Sequence, residues 1–277
     1  MADIDVNNIS LHVTDSGGDG RPVVLIHGWP LSGASWSEQV PALTEAGYRV
    51  VTYDRRGFGE SDKPESGYDY DTFAADLDGL LTSLDLTDAS LVGFSMGGGE
   101  IARYIGAKGT DRLHSVVFAG AVPPYLLKTD DNPDGGLAES DVQEMEEGAR
   151  TDRENFLDGF TTNFFSVDGE LKVTDQQRQD AIALEQHARD EALVACIGAF
   201  GRTDFRDDLK QFGDLPTLVI HGDSDAIVPF EVSGKRTHEA IPGSTLALIE
   251  GAPHGFNVSH AEEFNAHLLA FLGKLPQ

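Results

Sequence analysis

The sequence predicts an α/β fold in which a mostly parallel sheet is covered by helices on both faces. Short apolar runs alternate with longer helix-like stretches over residues 1–122. Helix-like segments alone fill residues 123–205. After that the alternation returns, as expected for a core that continues beyond an insertion.

The predicted elements follow one another along the chain. Two short runs at residues 4–6 and 10–14 predict an antiparallel hairpin. The further predicted strands are apolar runs at residues 22–26, 49–53, 89–94, 113–120, 216–220 and 244–249. Helices are predicted between them at residues 36–46, 70–84 and 98–108.

The middle of the chain predicts a separate helical unit. Its helix-like segments are residues 139–148, 152–164, 175–188 and 190–200. No strand of comparable quality lies among them. We therefore expect a helical cap at residues 123–205, inserted into an α/β core that comprises residues 1–122 and 206–277.

A glycine-rich turn marks the predicted nucleophile. Ser95 lies in the motif GFSMG at residues 93–97, directly after one predicted strand and before a predicted helix. In α/β-hydrolases a serine at such a turn adopts a strained backbone that exposes its hydroxyl, and only small neighbours permit the turn. The first amides of the following helix point the same way, as an oxyanion requires. A glycine-rich turn with an incidental serine has the same pattern. Whether Ser95 is a nucleophile therefore depends on whether the chain also supplies an acid and a base.

The acid and the base follow in the chain order of this fold. A serine hydroxyl attacks a carbonyl when a histidine accepts its proton, and that imidazole needs a carboxylate beside it. The motif HGDSD at residues 221–225 follows one predicted strand, and His254 follows the next. We assign Asp225 as the acid, because Asp223 directly follows a glycine and is expected to cap the turn. The predicted catalytic triad is Ser95, Asp225 and His254.

Two backbone amides are predicted to form the oxyanion hole. The loop after residues 22–26 supplies Trp29, because Pro30 has no N–H, and the residue after the serine supplies Met96. His27 is expected to brace this loop by hydrogen bonding. A solvated or locally hydrogen-bonded role is expected for six further histidines: His12, His114, His187, His238, His260 and His267.

Four motifs resemble a known family: HGWP at residues 27–30, YDRRGFGESDKP at 53–64, GFSMGGGE at 93–100 and HGDSD at 221–225. They are similar to the cofactor-free bacterial chloroperoxidases and aryl esterases of the α/β-hydrolase superfamily. The resemblance spans nearly all of the chain except its middle. It implies the same nucleophile, acid, base and oxyanion amides, and it implies neither a metal nor a cofactor.

Apolar residues near these motifs are candidates for a substrate pocket. Phe160 and Phe164 lie four residues apart on one predicted helical face, and with Tyr125 they are candidates for a wall above Ser95. They are explained equally well as core residues that join cap to body. The other candidates flank the oxyanion loop, the acid and the base: Pro30, Ile227, Phe230 and Phe256. Few charged residues lie near the candidate pocket residues around the acid and the base, which favours an uncharged acyl group.

The expected function is hydrolysis of small uncharged carboxylic esters through an acyl-enzyme. Because position 30 is proline, the chain resembles the family members best suited to making peracids. Peroxide then replaces water, and the released peracid oxidises halide without a metal. A lactone or amide hydrolase of the same fold is an alternative. A receptor without catalysis is another, and the loss of p-nitrophenyl acetate hydrolysis in Ser95→Ala distinguishes it.

The composition is strongly acidic. The 277 residues include 47 acidic and 20 basic side chains, which gives a formal net charge of −27. Such a surface repels nucleic acid and anionic membranes, so we expect only a small-molecule ester or carboxylic acid as partner, with a homo-oligomer left open. An adaptation to a salty cytoplasm explains the charge better than an ordinary acidic surface does.

The sequence also indicates the compartment. No basic leader, apolar signal segment or run of membrane-spanning length is present, so we expect a cytoplasmic protein. Cys196 is the single cysteine and cannot form an internal disulfide. It lies in an apolar helical stretch, where it is expected to be a small core residue.

The acidic surface predicts a response to salt. Raising the ionic strength from about 0.1 M to 1 M shortens the Debye length from ~10 Å to ~3 Å, which weakens the repulsion between carboxylates. We expect the melting temperature and the ester-hydrolysis rate to rise together, measured in both sodium and potassium chloride to separate screening from ion-specific effects. An unchanged or falling melting temperature would refute the salt adaptation.

Overall fold

The computed structural model describes residues 1–275. The strands within this range are β1 (Ala2–Val6), β2 (Ile9–Asp15), β3 (Pro22–Ile26), β4 (Arg49–Tyr53), β5 (Ala89–Phe94), β6 (Leu113–Ala119), β7 (Ser166–Val167), β8 (Glu170–Leu171), β9 (Thr217–Gly222) and β10 (Thr245–Ile249). Eight of these strands form one sheet in the order β1-β2-β4-β3-β5-β6-β9-β10. β1 and β2 pair antiparallel, and β2 pairs antiparallel with β4. From β4 to β10 the neighbours are parallel.

Helices cover both faces of this sheet. The α-helices are α1 (Gln39–Glu45), α2 (Tyr70–Ser83), α3 (Met96–Lys108), α4 (Glu139–Thr151), α5 (Arg153–Phe164), α6 (Asp175–Glu185), α7 (Asp190–Arg202), α8 (Arg206–Leu209), α9 (Gly234–Ala240), α10 (Phe256–Ser259) and α11 (Ala261–Lys274). Short 3-10 turns occur at Gly33–Trp36 and Phe230–Val232. None of the helices within residues 1–275 is long and apolar enough to cross a membrane.

Alternation along the central strands divides the core into two layers. Val24 and Leu91 belong to the layer that α2 and α3 cover, whereas Leu25 and Val92 belong to the layer under α1 and α11. Successive side chains of a strand point to opposite faces, so a strand buried on both faces reads as a continuous apolar run. The apolar runs therefore identified the central strands correctly, and the predicted α/β-hydrolase fold is confirmed.

Two local predictions differ from the structure. The helix expected at residues 36–46 begins only at Gln39, because Trp36 belongs to a separate 3-10 turn and is buried with its ring 6.2 Å from that of Phe94. The middle of the chain also contains the small β7–β8 hairpin besides its helices. Asp168 and Gly169 join its strands with φ of 51° and 80°, the left-handed geometry that a two-residue hairpin turn requires.

Helices α4 to α7 fall within the range 123–205 in which the sequence predicts the cap, whereas α8 begins just after it. In space α4 packs against α7 and α5 against α6. The cap boundaries at residues 123 and 205 stay a prediction.

A buried carboxyl joins two of these helices. Glu185 on α6 is 1% exposed, and its Oε1 lies within hydrogen-bonding distance of the Thr161 hydroxyl on α5. That hydroxyl also lies 2.8 Å from the carbonyl of Leu157. One hydroxyl hydrogen serves one of these acceptors, so a protonated Glu185 that donates to Thr161 satisfies both contacts. Burial raises the pKa of Glu185 to about 7, against the lowering effects of Thr161, Arg178 and Arg153.

This carboxyl predicts a pH-dependent stability. Because the pKa of Glu185 is raised from 4.5 to about 7 on folding, its protonated form stabilises the protein fully below pH 4.5, and that contribution is lost as the pH rises through 7. Glu185→Gln keeps a neutral side chain of similar shape. We expect it to be more stable than the wild type by up to about 3 kcal/mol at pH 8 and little different at pH 4.5, measured by urea unfolding. Glu144→Gln, at an exposed position on α4, is the control; an equal effect of the two variants at pH 8 contradicts the assignment.

Candidate active site

Ser95 occupies the turn between β5 and α3. Its backbone has φ 53° and ψ −117°, a strained conformation for a residue with a side chain. The flanking glycines are required by close contacts: a Cβ on Gly93 would lie 2.6 Å from the carbonyl oxygen of Gly97, and one on Gly97 would lie 2.4 Å from that of Ile26. The Ser95 N–H donates to the Ala119 carbonyl at 2.9 Å, which fixes the turn to β6.

His254 lies beside this serine. It follows β10 and is 1% exposed, and its Nε2 is 2.9 Å from Ser95 Oγ. The imidazole ring is enclosed by aromatic side chains: Phe94 lies 5.1 Å from it and Phe164 meets it edge to face at 5.0 Å. These contacts hold the ring in place and keep it away from bulk water.

Asp225 completes the hydrogen-bonded chain. Its Oδ2 lies 2.6 Å from Nδ1 of His254, and its Oδ1 accepts the N–H groups of Ile227 at 2.9 Å and Val228 at 2.8 Å. Burial alone raises the pKa of a carboxyl, but the neighbouring His254 and His221 hold the pKa of Asp225 well below its ordinary value. The carboxylate is therefore ionised at neutral pH and can stabilise a positive charge on His254.

Asp223 has a different role in the same loop. Its Oδ1 accepts the N–H of Gly251 at 2.8 Å and the hydroxyl of Ser224 at 2.9 Å. This carboxylate joins the loop after β9 to the loop after β10 and makes no contact that replaces Asp225. The geometry supports the choice of Asp225 over Asp223.

The predicted oxyanion loop lies against the serine. A Cβ on Gly28 would lie 3.1 Å from Cβ of Ser95, so a glycine is needed where the loop passes the nucleophile. Met96 is the first residue of α3, and its N–H belongs to the first turn, where amides lack an intrahelical acceptor. The indole N–H of Trp29 donates to the Leu193 carbonyl on α7 at 3.2 Å, which ties the loop to the helices above it.

His27 braces this loop from below. Its Nδ1 lies 2.8 Å from the Gly28 carbonyl, and its Nε2 accepts the N–H of Arg55 at 2.9 Å. Burial and the charge of Arg55 keep the pKa of His27 well below its ordinary value, although the Gly28 contact opposes them. The neutral Nδ1–H tautomer satisfies both contacts.

A buried ion pair, not predicted from the sequence, supports the same region. Arg55 donates through Nε to Glu100 on α3 at 2.7 Å and through Nη2 to the His27 carbonyl at 2.8 Å. The Tyr53 hydroxyl donates to the second carboxylate oxygen of Glu100. An acidic residue five positions after the serine, among the glycine and apolar residues that begin α3, was the signal that could have identified the pair.

An apolar cavity of about 40 Å³ opens beside Ser95. Of the predicted pocket residues, Phe160 and Ile227 line it, together with Trp29 of the oxyanion loop. Further lining residues that the sequence analysis missed are Val122, Leu126, Leu137, Met145, Phe200 and Val228. A wider cleft of about 490 Å³ adjoins the cavity, and the two share the side chains of Leu137, Met145, Phe160 and Ile227.

The other candidates for the pocket lie elsewhere. The Tyr125 ring packs under the guanidinium of Arg206 at 5.2 Å. The neighbouring Leu126 is the side chain that faces the cavity instead. Phe164 covers the His254 ring, and Phe256 packs behind Phe94 at 5.8 Å. These two aromatic rings therefore belong to the packing around His254 and do not line the cavity beside Ser95.

The last two residues predicted to line the substrate pocket, Phe230 and Pro30, do not line the cavity beside Ser95. The Phe230 ring lies 5.7 Å from that of His221. Pro30 is buried and follows Trp29 in the oxyanion loop.

The six histidines expected to have local roles have local partners. These pairs are His12 with Asp3, His114 with Asp88, His187 with Glu60, His238 with Ser244, His260 with Ser259 and His267 with Glu263. His221 was not assigned a role from the sequence. It is completely buried beside Asp225, and its place at the end of β9 was the available signal.

Comparison with known proteins agrees with this geometry. A family model described as the alpha/beta hydrolase fold matches residues 21–261. A non-heme chloroperoxidase of Kitasatospora aureofaciens is 46% identical over 260 residues, 93% of this chain and 94% of that protein. A bifunctional esterase/perhydrolase of Acinetobacter calcoaceticus is 34% identical, over 96% of this chain and 97% of that protein.

A solved structure gives the same result. The crystal structure of a bromoperoxidase from Bacillus anthracis superposes with a TM-score of 0.95 at 55% identity and covers 99% of both chains. The resemblance found in four sequence motifs thus extends over the whole fold. The chain belongs to the α/β-hydrolase superfamily, in the family of the non-heme chloroperoxidases and related esterases.

Proposed function

We propose that this protein hydrolyses small uncharged carboxylic esters through an acyl-enzyme on Ser95. The observation that carries the proposal is the continuous hydrogen-bonded chain from Ser95 Oγ through His254 to Asp225, with distances of 2.9 Å and 2.6 Å. This chain of hydrogen bonds ends at Ser95, which borders a cavity with an apolar lining. The names of the chloroperoxidase and esterase/perhydrolase relatives point to the same chemistry.

Acylation begins when Nε2 of His254 accepts the Ser95 proton as Oγ attacks the ester carbonyl. The developing oxyanion accepts the N–H groups of Trp29 and Met96, which are fixed before the substrate arrives. Asp225 stabilises the imidazolium without taking its proton. Nε2 then returns the proton to the departing alkoxide, which leaves the acyl group on Ser95.

Deacylation repeats these steps with a small nucleophile. Water loses a proton to His254 and attacks the acyl carbon, which releases the carboxylic acid and restores Ser95. Hydrogen peroxide in the same position releases a peracid instead, with the same transfer of one proton to Nε2 and back to Oγ. The peracid then oxidises a halide ion in solution and is itself reduced to the carboxylic acid.

The size of the cavity supports a short acyl group. The inner space of about 40 Å³ accepts a few heavy atoms, whereas the cleft of about 490 Å³ outside it has room for the alcohol part. Carbon atoms of Leu126, Phe160 and Phe200 surround the acyl position. A charged acyl group would lose its hydration there without a compensating partner.

We also propose that the protein works in a salty cytoplasm. The excess of carboxylates supports this: 47 acidic side chains outnumber 20 basic ones, so even a carboxylate that pairs with a cation, such as the 93% exposed Asp207 with Lys210, lies on a surface of net negative charge. At this exposure carboxylates repel one another through water, and salt screens the repulsion.

The triad predicts a loss of activity in three variants. Ser95→Ala and His254→Ala should each lower kcat for p-nitrophenyl acetate by at least about a thousandfold, because the residues act as a unit, and Asp225→Asn should be somewhat milder. Circular dichroism and melting temperature check that each variant is folded. His187→Ala, at an exposed site away from the cavity, is the control and should keep full activity. A wild-type rate in any of the three variants refutes the assignment.

The peroxide route predicts a different phenotype at Pro30. A proline restricts its own φ and the residue before it, so it can direct a carbonyl of the oxyanion loop towards the O–H on the distal oxygen of peroxide, which lies farther from the acyl carbon than the remaining O–H of water. Pro30→Leu should lower the bromination of monochlorodimedone more than it lowers ester hydrolysis. Pro242→Leu, at an exposed position, should leave the ratio unchanged.

The same assay tests the peracid itself. Bromination should require acetate and hydrogen peroxide together and disappear in Ser95→Ala. Halogenation without a carboxylic acid, or an unchanged ratio in Pro30→Leu, would exclude the peracid route and leave an esterase.

A further inference from the structure

The carboxylate of Asp225 is approached by four donors. A carboxylate offers about four acceptor positions, two on each oxygen. On Oδ1 two positions take the N–H groups of Ile227 and Val228. On Oδ2 one position takes Nδ1 of His254, and Nε2 of His221 lies 3.3 Å from the same oxygen. The fourth position is therefore occupied by a second histidine that the reaction steps above do not use.

The surroundings of His221 fix its tautomer. Its Nε2 lies 2.8 Å from the carbonyl oxygen of Val228 and 3.3 Å from Asp225 Oδ2, and both oxygens only accept. Nε2 must therefore carry the hydrogen, which it donates to the Val228 carbonyl while lying beside Asp225 Oδ2. The side chain is completely buried, so water does not compete for this hydrogen.

The other ring nitrogen of His221 is left without a proton acceptor. Nδ1 is buried and has no hydrogen-bond partner within residues 1–275. It faces α9, where a Cβ on Gly234 would lie 2.5 Å from it. A hydrogen on Nδ1 would point at α9 without an acceptor, so the geometry provides a place for one ring hydrogen, on Nε2, and none for a second.

Other charged groups on the packed elements are engaged elsewhere. On α9, Lys235 pairs with Glu231 and Arg236 donates to Asn132. The carboxylate of Asp223 binds the Gly251 amide. The two imidazoles are the neighbours that hold down the pKa of Asp225.

We propose that His221 is a positioning residue that stays neutral and holds Asp225 for His254. The carboxylate has one negative charge and two histidines beside it, and catalysis needs that charge for the imidazolium of His254 alone. A neutral Nε2–H donor orients Oδ2 and stabilises the anion without adding a competing cation. The unpaired Nδ1 prevents His221 from taking up the second proton.

This inference rests on the proposed function and predicts a shift in the pH profile. Without the N–H of His221, the negative charge on Oδ2 of Asp225 is less stabilised by neighbouring donors, so Oδ2 attracts the proton of His254 more strongly. His221→Leu should move the acid limb of kcat/KM for p-nitrophenyl acetate to higher pH by about half a unit to one unit. It should lower kcat about tenfold and leave KM nearly unchanged.

A matched variant separates this role from packing. Glutamine can place an amide N–H where Nε2 lies, so His221→Gln should recover the acid limb and most of kcat, whereas His221→Leu should not. If both variants lose stability equally and keep the wild-type acid limb, His221 only fills space and the proposal is wrong. If the wild type itself does not hydrolyse the ester, the proposed function fails instead.

A measurement on the unmodified enzyme tests the tautomer directly. With ¹⁵N-labelled histidine, the ring nitrogens of His221 should show a protonated Nε2 and an unprotonated Nδ1 at every pH from 5 to 9. Correlation of the ring signals with the backbone of residue 221 identifies them without a variant. An imidazolium at His221 near neutral pH would overturn the proposal even if both variants failed to fold.

Discussion

The buried ion pair between Arg55 and Glu100 is the interaction on which the site depends. Both side chains are about 1% exposed, and the pair joins the loop after β4 to the helix that starts at the nucleophile. Arg55 also holds the His27 carbonyl, so the oxyanion loop is fixed by the same guanidinium. Removing one partner from such a pair leaves an unpaired buried charge and typically costs about 3–5 kcal/mol. One interaction therefore fixes both the helix that follows Ser95 and the loop that carries Trp29.

This anchoring allows Ser95 to keep a strained backbone. A positive φ on a residue with a side chain costs about 1–3 kcal/mol, and only a rigid surrounding maintains it. The Ser95 carbonyl accepts the N–H groups of Gly98 and Val122, and the Tyr70 hydroxyl donates to the Met96 carbonyl. The strain is thus balanced by contacts on both sides of the turn. The hydroxyl is directed towards His254 before any substrate binds, so little reorganisation is needed during attack.

Sequence reasoning identified the fold, and it predicted that Ser95, Asp225 and His254 lie close together, because both follow from chain order. Parallel strands end at one edge of the sheet, so residues just after β5, β9 and β10 must meet there. The pocket does not follow in this way. Tyr125 and Leu126 are adjacent, and the turn of the backbone decides which one faces Ser95. The role of Glu100 depends on Tyr53 and Arg55, which lie far earlier in the chain, and that of His221 on the way its own loop folds back to Asp225 and Val228. The sequence marks both residues but does not identify their partners. The β7–β8 hairpin was missed although its Asp-Gly turn is a known local signal.

The acidic surface and the apolar cavity act on different parts of the reaction. A formal charge of −27 repels anions at long range, whereas a neutral ester approaches without an electrostatic barrier. The carboxylate product is repelled once it leaves the cavity, which favours its release. At about 1 M salt the screening length is ~3 Å, so this repulsion acts only near the surface. The hydrogen bonds among Ser95, His254 and Asp225 are buried and much less screened, so salt changes the ester-hydrolysis rate through the fraction of folded protein and not through these hydrogen bonds.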